Sequence, residues 1–132
     1  MKPHYHAASS VRLHGGTIED YLPIHNLLDS SKGTIADNRH RTLTHNSWFI
    51  FTVIEAVFGS VQTNSSGRKY SPREIAEQHV KEDFNKSFIP TPQDYLENTP
   101  LEPWMIDGKG KPPPSFRKLY KPLVIRKIIK NV

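Results

Sequence analysis

A chain of 132 residues is long enough to bury one core unaided, and having no cysteine it excludes a disulfide framework. The net charge of +5 does not mark the whole body as a nucleic-acid binder: residues 1–106 hold ten Lys/Arg against twelve Asp/Glu, whereas residues 107–132 hold eight against one. No apolar run approaches the roughly 18 residues of a membrane span, and MKPHYHAASS lacks the apolar stretch of a signal peptide, so a soluble cytoplasmic protein with no membrane partner is expected. Seven histidines, five of them before residue 41, favour transition-metal chemistry.

In chain order, HYHAASSVRLH (4–14) predicts a short helix ended by Gly15-Gly16, with His6 and Ser10 one turn apart on a shared face. Thr17 with Asp20 opens a second helix in a capping pattern, and Pro23 inside it predicts a kink or a break into two short helices. The part after Pro23 carries His25 and Asp29 one turn apart, beside leucines. The stretch from Gly33 to Gly59 predicts a single long helix, capped by Thr34 with Asp37 and stopped by Gly59. Its second half, apolar nearly all round, is expected in the core. Its first half offers two rows: Asp37 with His40 and Thr44, or Asp37 with Arg41 and His45, about 100° apart.

VQTNSSGRKYS then predicts a small β-hairpin at about residues 60–70, turning at Asn64 to Gly67. Ser71-Pro72-Arg73-Glu74 is a helix start with a capping box, and the helix to about Phe84 places Ile75, Ala76, His79, Val80 and Asp83 inward, with Glu77 and Glu82 facing water. Thr91-Pro92-Gln93-Asp94 starts a further short helix, and PLEPWM reads as irregular with Trp104 and Met105 packing down. The chain thus predicts a mostly α, compact helical bundle with one small hairpin. Residues 1–106 form the helical domain with the polar site; residues 107–132 form a basic Pro/Lys-rich linker and C-terminal extension.

Three helices each offer a His and an Asp turned to one side: His25 with Asp29, Asp37 with His40, and His79 with Asp83. Convergent imidazoles and carboxylates are what a water-activating divalent ion (Zn, Mn or Mg) needs, and a helical bundle can bring such pairs together. These six are the expected metal ligands, with His6 and His45 as additional candidates and Lys32 and Arg41 as anion-binding residues. The competing structural reading is that each pair is a simple hydrogen bond or salt bridge. HExxH, CxxC, Walker and GxGxxG patterns are absent, and the serines lack a nucleophile context.

The segments HAASSVRLHGGTIEDYLPIHNLLDSSKGTIADNRHRTLTH, EQHVKED and PQDYLENTPLEPWM, in that order, resemble a family of small proteins of unknown function from bacteriophages and bacteria, over about residues 3–106. The resemblance implies no reaction or cofactor. It implies that the block from His6 to His45 and the EQHVKED segment belong to one shared site, that Lys109 to Val132 is an added extension, and that the protein acts in a host cytoplasm if phage-encoded. A remoter likeness, to helical metal-dependent phosphohydrolases marked by an adjacent His-Asp pair, lacks that hallmark here.

The leading expectation is therefore a small metal-binding protein, in its sharpest form a metal-dependent hydrolase of a phosphorylated or nucleotide-like substrate. The alternative is a non-catalytic accessory protein that binds a host protein or sequesters an anionic ligand. A third is nucleic-acid binding through the basic tail, residues 107–132.

Overall fold

The computed structural model describes residues 1–114, so most of the extension expected over residues 107–132, with its nucleic-acid role, lies outside the described residues. Within them the chain is a helical bundle with one two-stranded hairpin: α1 (Pro3–His14), α2 (Ile18–Asp29), α3 (Arg41–Thr44), α4 (Glu55–Phe58), β1 (Gln62–Thr63), β2 (Lys69–Tyr70), α5 (Pro72–Asp83), α6 (Pro92–Leu96) and α7 (Pro103–Asp107). Two 3-10 turns, Ser30–Gly33 and Asn38–His40, join α2 to α3, and a π-helical segment, Phe49–Ile54, precedes α4. None of these helices is long and apolar enough to cross a membrane.

Pro3 occupies the first turn of α1, where its missing N–H costs nothing, and Gly15 (φ 76°) and Gly16 (φ 77°) end the helix in a left-handed corner. The corner tolerates no side chain at Gly16, since a Cβ there would lie 2.5 Å from Asp20 Oδ2. Asp20 accepts from Thr17 N at 2.7 Å at the start of α2 and from Ser65 Oγ at 2.7 Å in the hairpin turn. Asn64 fills the same corner, donating to the His14 carbonyl and to Tyr21 Oη. The hairpin thus clamps the joint that sets the angle between α1 and α2.

Tyr21, Ile24, Leu28, Ile50, Ile54, Ile75, Ala76 and Val80 form the centre of the core, together with Ala7. They come from α1, α2, the π segment and α5, which pack on one another. Burying side chains of this size stabilises by roughly 1.5–3 kcal/mol each. Ser71 caps α5 by accepting from Glu74 N at 3.4 Å, and Thr91 and Asp94 form a full capping box on α6.

Several local expectations are corrected. The Pro23 break does not occur: α2 runs as one helix from Ile18 to Asp29, and the exposed proline sits on its outer side. The single helix over Gly33 to Gly59 is instead a 3-10 turn, α3, the π segment and α4, interrupted at His45 and Asn46, because polar side chains capture backbone groups that a continuous helix would need. Asp37, rather than Thr34, acts as a cap by accepting from Arg39 N at 2.8 Å. His45 leaves helical geometry at ψ 59°, and Asn46 Oδ1 then accepts from Phe49 N at 2.9 Å and starts the next helix.

The apolar second half lies half in the core. Ile50 and Ile54 are fully buried, whereas Trp48 (55% exposed), Phe51 (48%) and Val57 (55%) face outward. PLEPWM is irregular only as far as Glu102, since Pro103 to Met105 begin α7, and Met105 is exposed rather than packed down. Glu82, expected in water, keeps only 12% of its side chain exposed because it pairs with His6.

Candidate metal centre

Four helical elements aim polar side chains at one point in this core. α1 supplies His6, α2 supplies Asp29 from its last residue, the break after α3 supplies His45, and α5 supplies His79 and Asp83 at i,i+4. All three histidines are fully buried, and the Asp29 and Asp83 side chains are 7% and 4% exposed. His45 Nε2 lies 2.8 Å from Asp83 Oδ2 and 3.7 Å from Asp29 Oδ1. His79 Nε2 lies 3.3 Å from both Asp29 Oδ1 and Asp83 Oδ2. His6 Nε2 lies 3.2 Å from Asp83 Oδ1.

The outer hydrogen bonds of these rings fix which nitrogen carries a proton. Thr44 Oγ1 donates to the Leu28 carbonyl at 2.6 Å, so its contact with His45 Nδ1 at 2.8 Å requires the ring to donate. Gln78 Nε2 donates to the His6 carbonyl and to Glu82 Oε1, which leaves Gln78 Oε1 to accept from Ser10 Oγ at 2.8 Å. His25 Nε2 must then donate to Ser10 Oγ at 2.9 Å, and His25 Nδ1 accepts from His79 Nδ1 at 2.9 Å. His6 Nδ1 donates to the Glu82 carboxylate at 2.8 Å.

The Nδ1 atoms of His6, His45 and His79 are thus engaged outward, and the Nε2 atoms of all three point at the carboxylates. Three ring nitrogens facing two acidic side chains call for positive charge between them, carried by ring protons or by a bound cation. Asp29, His45, His79 and Asp83 each offer a donor atom within 4.8 Å of the others, and this buried group could hold a metal ion. Bonds of roughly 2.1 Å to such an ion would separate neighbouring donors by roughly 3.0–3.4 Å, in the range seen here. His6 Nε2 is buried without a hydrogen-bond partner, 3.2 Å from Asp83 Oδ1 at the edge of this four-residue group.

The field at this point favours positive charge. Burial pulls the His79 pKa down, but hydrogen bonds to Asp29 and Asp83 outweigh it and the net shift is upward. Asp83 is buried, which alone would raise its pKa, yet the adjacent His45, His6 and His79 rings hold it far below the usual carboxylate range. Asp29 is lowered in the same way, chiefly by His79 against the effect of burial. At the other two rings burial wins: His25 falls to about 2, with the neighbouring His79 and His6 adding to the effect of burial. His45 falls to about 4 by burial, with Asp83 opposing.

Of the residues singled out in the sequence, Asp29, His45, His79 and Asp83 come together at the donor point, and His6 lies beside Asp83. His25 stands one hydrogen bond behind, on the far side of His79. His40 is buried nearby, its Nδ1 2.7 Å from Ser31 Oγ and its ring edge-on to His45, so it supports the Thr44 network. Asp37 is at the surface, bound to Arg39 at 2.8 Å, and is not brought to the centre. Lys32 Nζ is 3.5 Å from Asp29 Oδ2, and an Arg41 Nη is 4.0 Å from Asp83 Oδ1, so both cations sit at the rim. The Lys32 contact lacks hydrogen-bond geometry, and Asp29 Oδ2 has no hydrogen-bond partner.

Sequence reasoning missed Glu82 and Gln78, which orient His6 and Ser10. Their i,i+4 spacing on α5, one turn of polar residues flanking the His79 and Asp83 stripe, was the available signal. Tyr95 was also missed: its Oη donates to the His45 carbonyl at 2.7 Å and pins the break that aims His45.

The chain matches the family described as "Domain of unknown function (DUF6915)" over residues 1–105. No curated protein and no solved structure matches it. The chain belongs to this family of unknown function, and every donor of the centre falls inside the matched span.

Proposed function

We propose that the protein binds one divalent first-row metal ion through His6, Asp29, His45, His79 and Asp83, and uses it to hydrolyse a phosphorylated or nucleotide-like substrate. The observation that carries this is a convergence: the outer nitrogens of His6, His45 and His79 are engaged away from the centre, so three Nε2 atoms and two carboxylates face one another in the core. Three neutral nitrogens with two carboxylates balance a dication, and a nitrogen-rich set favours Zn or Mn over Mg. Five protein donors leave a six-coordinate ion one position for water, whose acidity the ion would raise. Lys32 and Arg41, at the rim beside Asp29 and Asp83, have the charge to hold a phosphoryl group there.

Elemental analysis of protein purified without a histidine tag tests the metal. About one ion per chain is expected, and less than about 0.2 with no thermal stabilisation by added Zn or Mn overturns it. Metal-loaded protein is then assayed on phosphate mono- and diesters and nucleotides. Turnover that disappears in Lys32→Ala and Arg41→Ala variants with full metal content supports hydrolysis.

A second reading, a non-catalytic metal or ligand binder, is favoured by the enclosure of the donors. Two large surface cavities, of about 660 and 360 Å³, are lined by none of the five. Full metal content with intact substrate after prolonged incubation would select this reading.

A further inference from the structure

Behind the metal centre, the last turns of α1 and α5 enclose a cavity of about 360 Å³. The exposed cations Arg12, Lys81 and Lys86 line it with the less exposed Ser9, Gln78 and Glu82. None of the three cations makes an ion pair with another described residue. The one acid of the lining, Glu82, is occupied elsewhere, accepting from His6 Nδ1 at 2.8 Å and from Gln78 Nε2 at 3.0 Å. Arg12 is already oriented, since one Nη donates to Ser9 Oγ at 2.7 Å.

Helix dipoles account for part of this charge, because cations stabilise the carbonyl ends of α1 and α5. They do not account for Lys86, which lies beyond α5. Asn85 (φ 57°) and Lys86 (φ 59°) are consecutive left-handed residues with side chains, a conformation held at a cost, and Lys86 N donates back to the Lys81 carbonyl at 2.6 Å. That turn returns a third cation to the cavity.

We propose that this cavity is a binding site for the phosphate group of a small molecule, separate from the metal centre. Three cations around one concavity match a multi-oxygen dianion, and the volume lies in the range of small-ligand sites. Leu13, exposed on the same wall, offers an apolar contact to the remainder of the ligand. The proposal does not rest on metal being bound.

The test is titration of the full chain with inorganic phosphate, followed by backbone amide NMR. Saturable shifts are expected at Arg12, Leu13, Lys81 and Lys86. The triple variant Arg12→Gln, Lys81→Gln, Lys86→Gln should weaken phosphate at least about tenfold, and Lys32→Gln with Arg41→Gln should leave these shifts unchanged. A dispersed spectrum and unchanged metal content show that the triple variant is folded. Single Lys81→Gln and Lys86→Gln variants, each expected to weaken binding part of the way, provide an independent check. Shifts confined to the Lys32 and Arg41 rim, no saturation up to about 10 mM phosphate, or equal affinity in the triple variant would overturn the proposal.

Discussion

His79 with Asp83 and Asp37 with His40 are the same residue types at nearly the same spacing, yet one pair is the heart of a buried network and the other falls apart. On α5 the helix continues through both residues and packs on α1 and α2, so both side chains are carried into the core. Around Asp37 the backbone is a 3-10 turn, and the carboxylate finds its nearest partner in Arg39 at the surface. Helical spacing places two groups on one face only if the helix exists, and burial then decides whether they matter. A buried carboxylate without a counter-charge costs several kcal/mol, whereas an exposed one is solvated by water.

The sharpest way to break this contrast is at Asp83, which touches His6, His45 and His79. Asp83→Asn should reduce metal from about one ion per chain to below about 0.2 and lower the unfolding free energy by about 3 kcal/mol, read by elemental analysis and urea denaturation. Retention of metal at full occupancy in this variant would remove Asp83 from the donor set. A smaller effect is expected at His25, which touches no donor point but receives the His79 Nδ1 proton. His25→Phe removes that acceptor and should weaken metal affinity by about 10- to 100-fold in competition with a chelator, and His25→Asn, which keeps an acceptor, should recover part of it.

The legible part of the fold was the part governed by local rules. Proline and serine at helix starts, paired glycines at the α1–α2 corner and the Asn-Ser-Ser-Gly turn each act over a few residues, and each element they bound is present. The stripe of α5 was legible for the same reason, as were His25 and Asp29 on α2. What could not be read was competition between equally local signals. Asn46 reads as helix interior or as a cap, and the structure selects the cap because His45 must leave the helix for its carbonyl to meet Tyr95. That choice carries His45 and Thr44 inward and leaves Asp37 outside, so neither row is brought to the centre as a set. Glu82 was misplaced because its partner, His6, lies 76 residues away in the chain.

Burial and carboxylate contact give the rings of the centre opposite responses to pH. His25 and His45 have folded pKa values of about 2 and about 4, below the ordinary histidine value of 6.5, so the unfolded chain binds their protons first. Stability from both is complete above about pH 6.5 and falls as pH drops, at about 1.4 kcal/mol per unit for each group. His79 is shifted upward, so its contribution has the opposite sign and is fully present below about 6.5. Asp29 and Asp83, both lowered, hold their stability down to about pH 4 and lose it below. Metal-free protein should therefore lose stability between pH 7 and 5 with a net slope near one proton, measured by urea midpoints. A flat profile over that range would show that the buried rings of His25 and His45 are not held neutral.

The smallest effect is expected at Asp37, and it is informative because it is small. Its carboxylate is held near a pKa of about 2 by the Arg39 side chain and backbone, a shift of the size found at functional groups. Both partners are exposed, at 54% and 84% of their side chains, so water and salt screen the pair. Asp37→Ala should move Tm by no more than about 2 °C and leave metal content at the wild-type value. The pair's low carboxylate pKa is then a property of a surface turn, and the perturbed groups of the core differ from it by burial rather than by the size of the shift. Loss of metal in Asp37→Ala would instead mean that the turn at residues 38–40 closes over the centre, with Asp37 as a donor and His40 drawn in beside it.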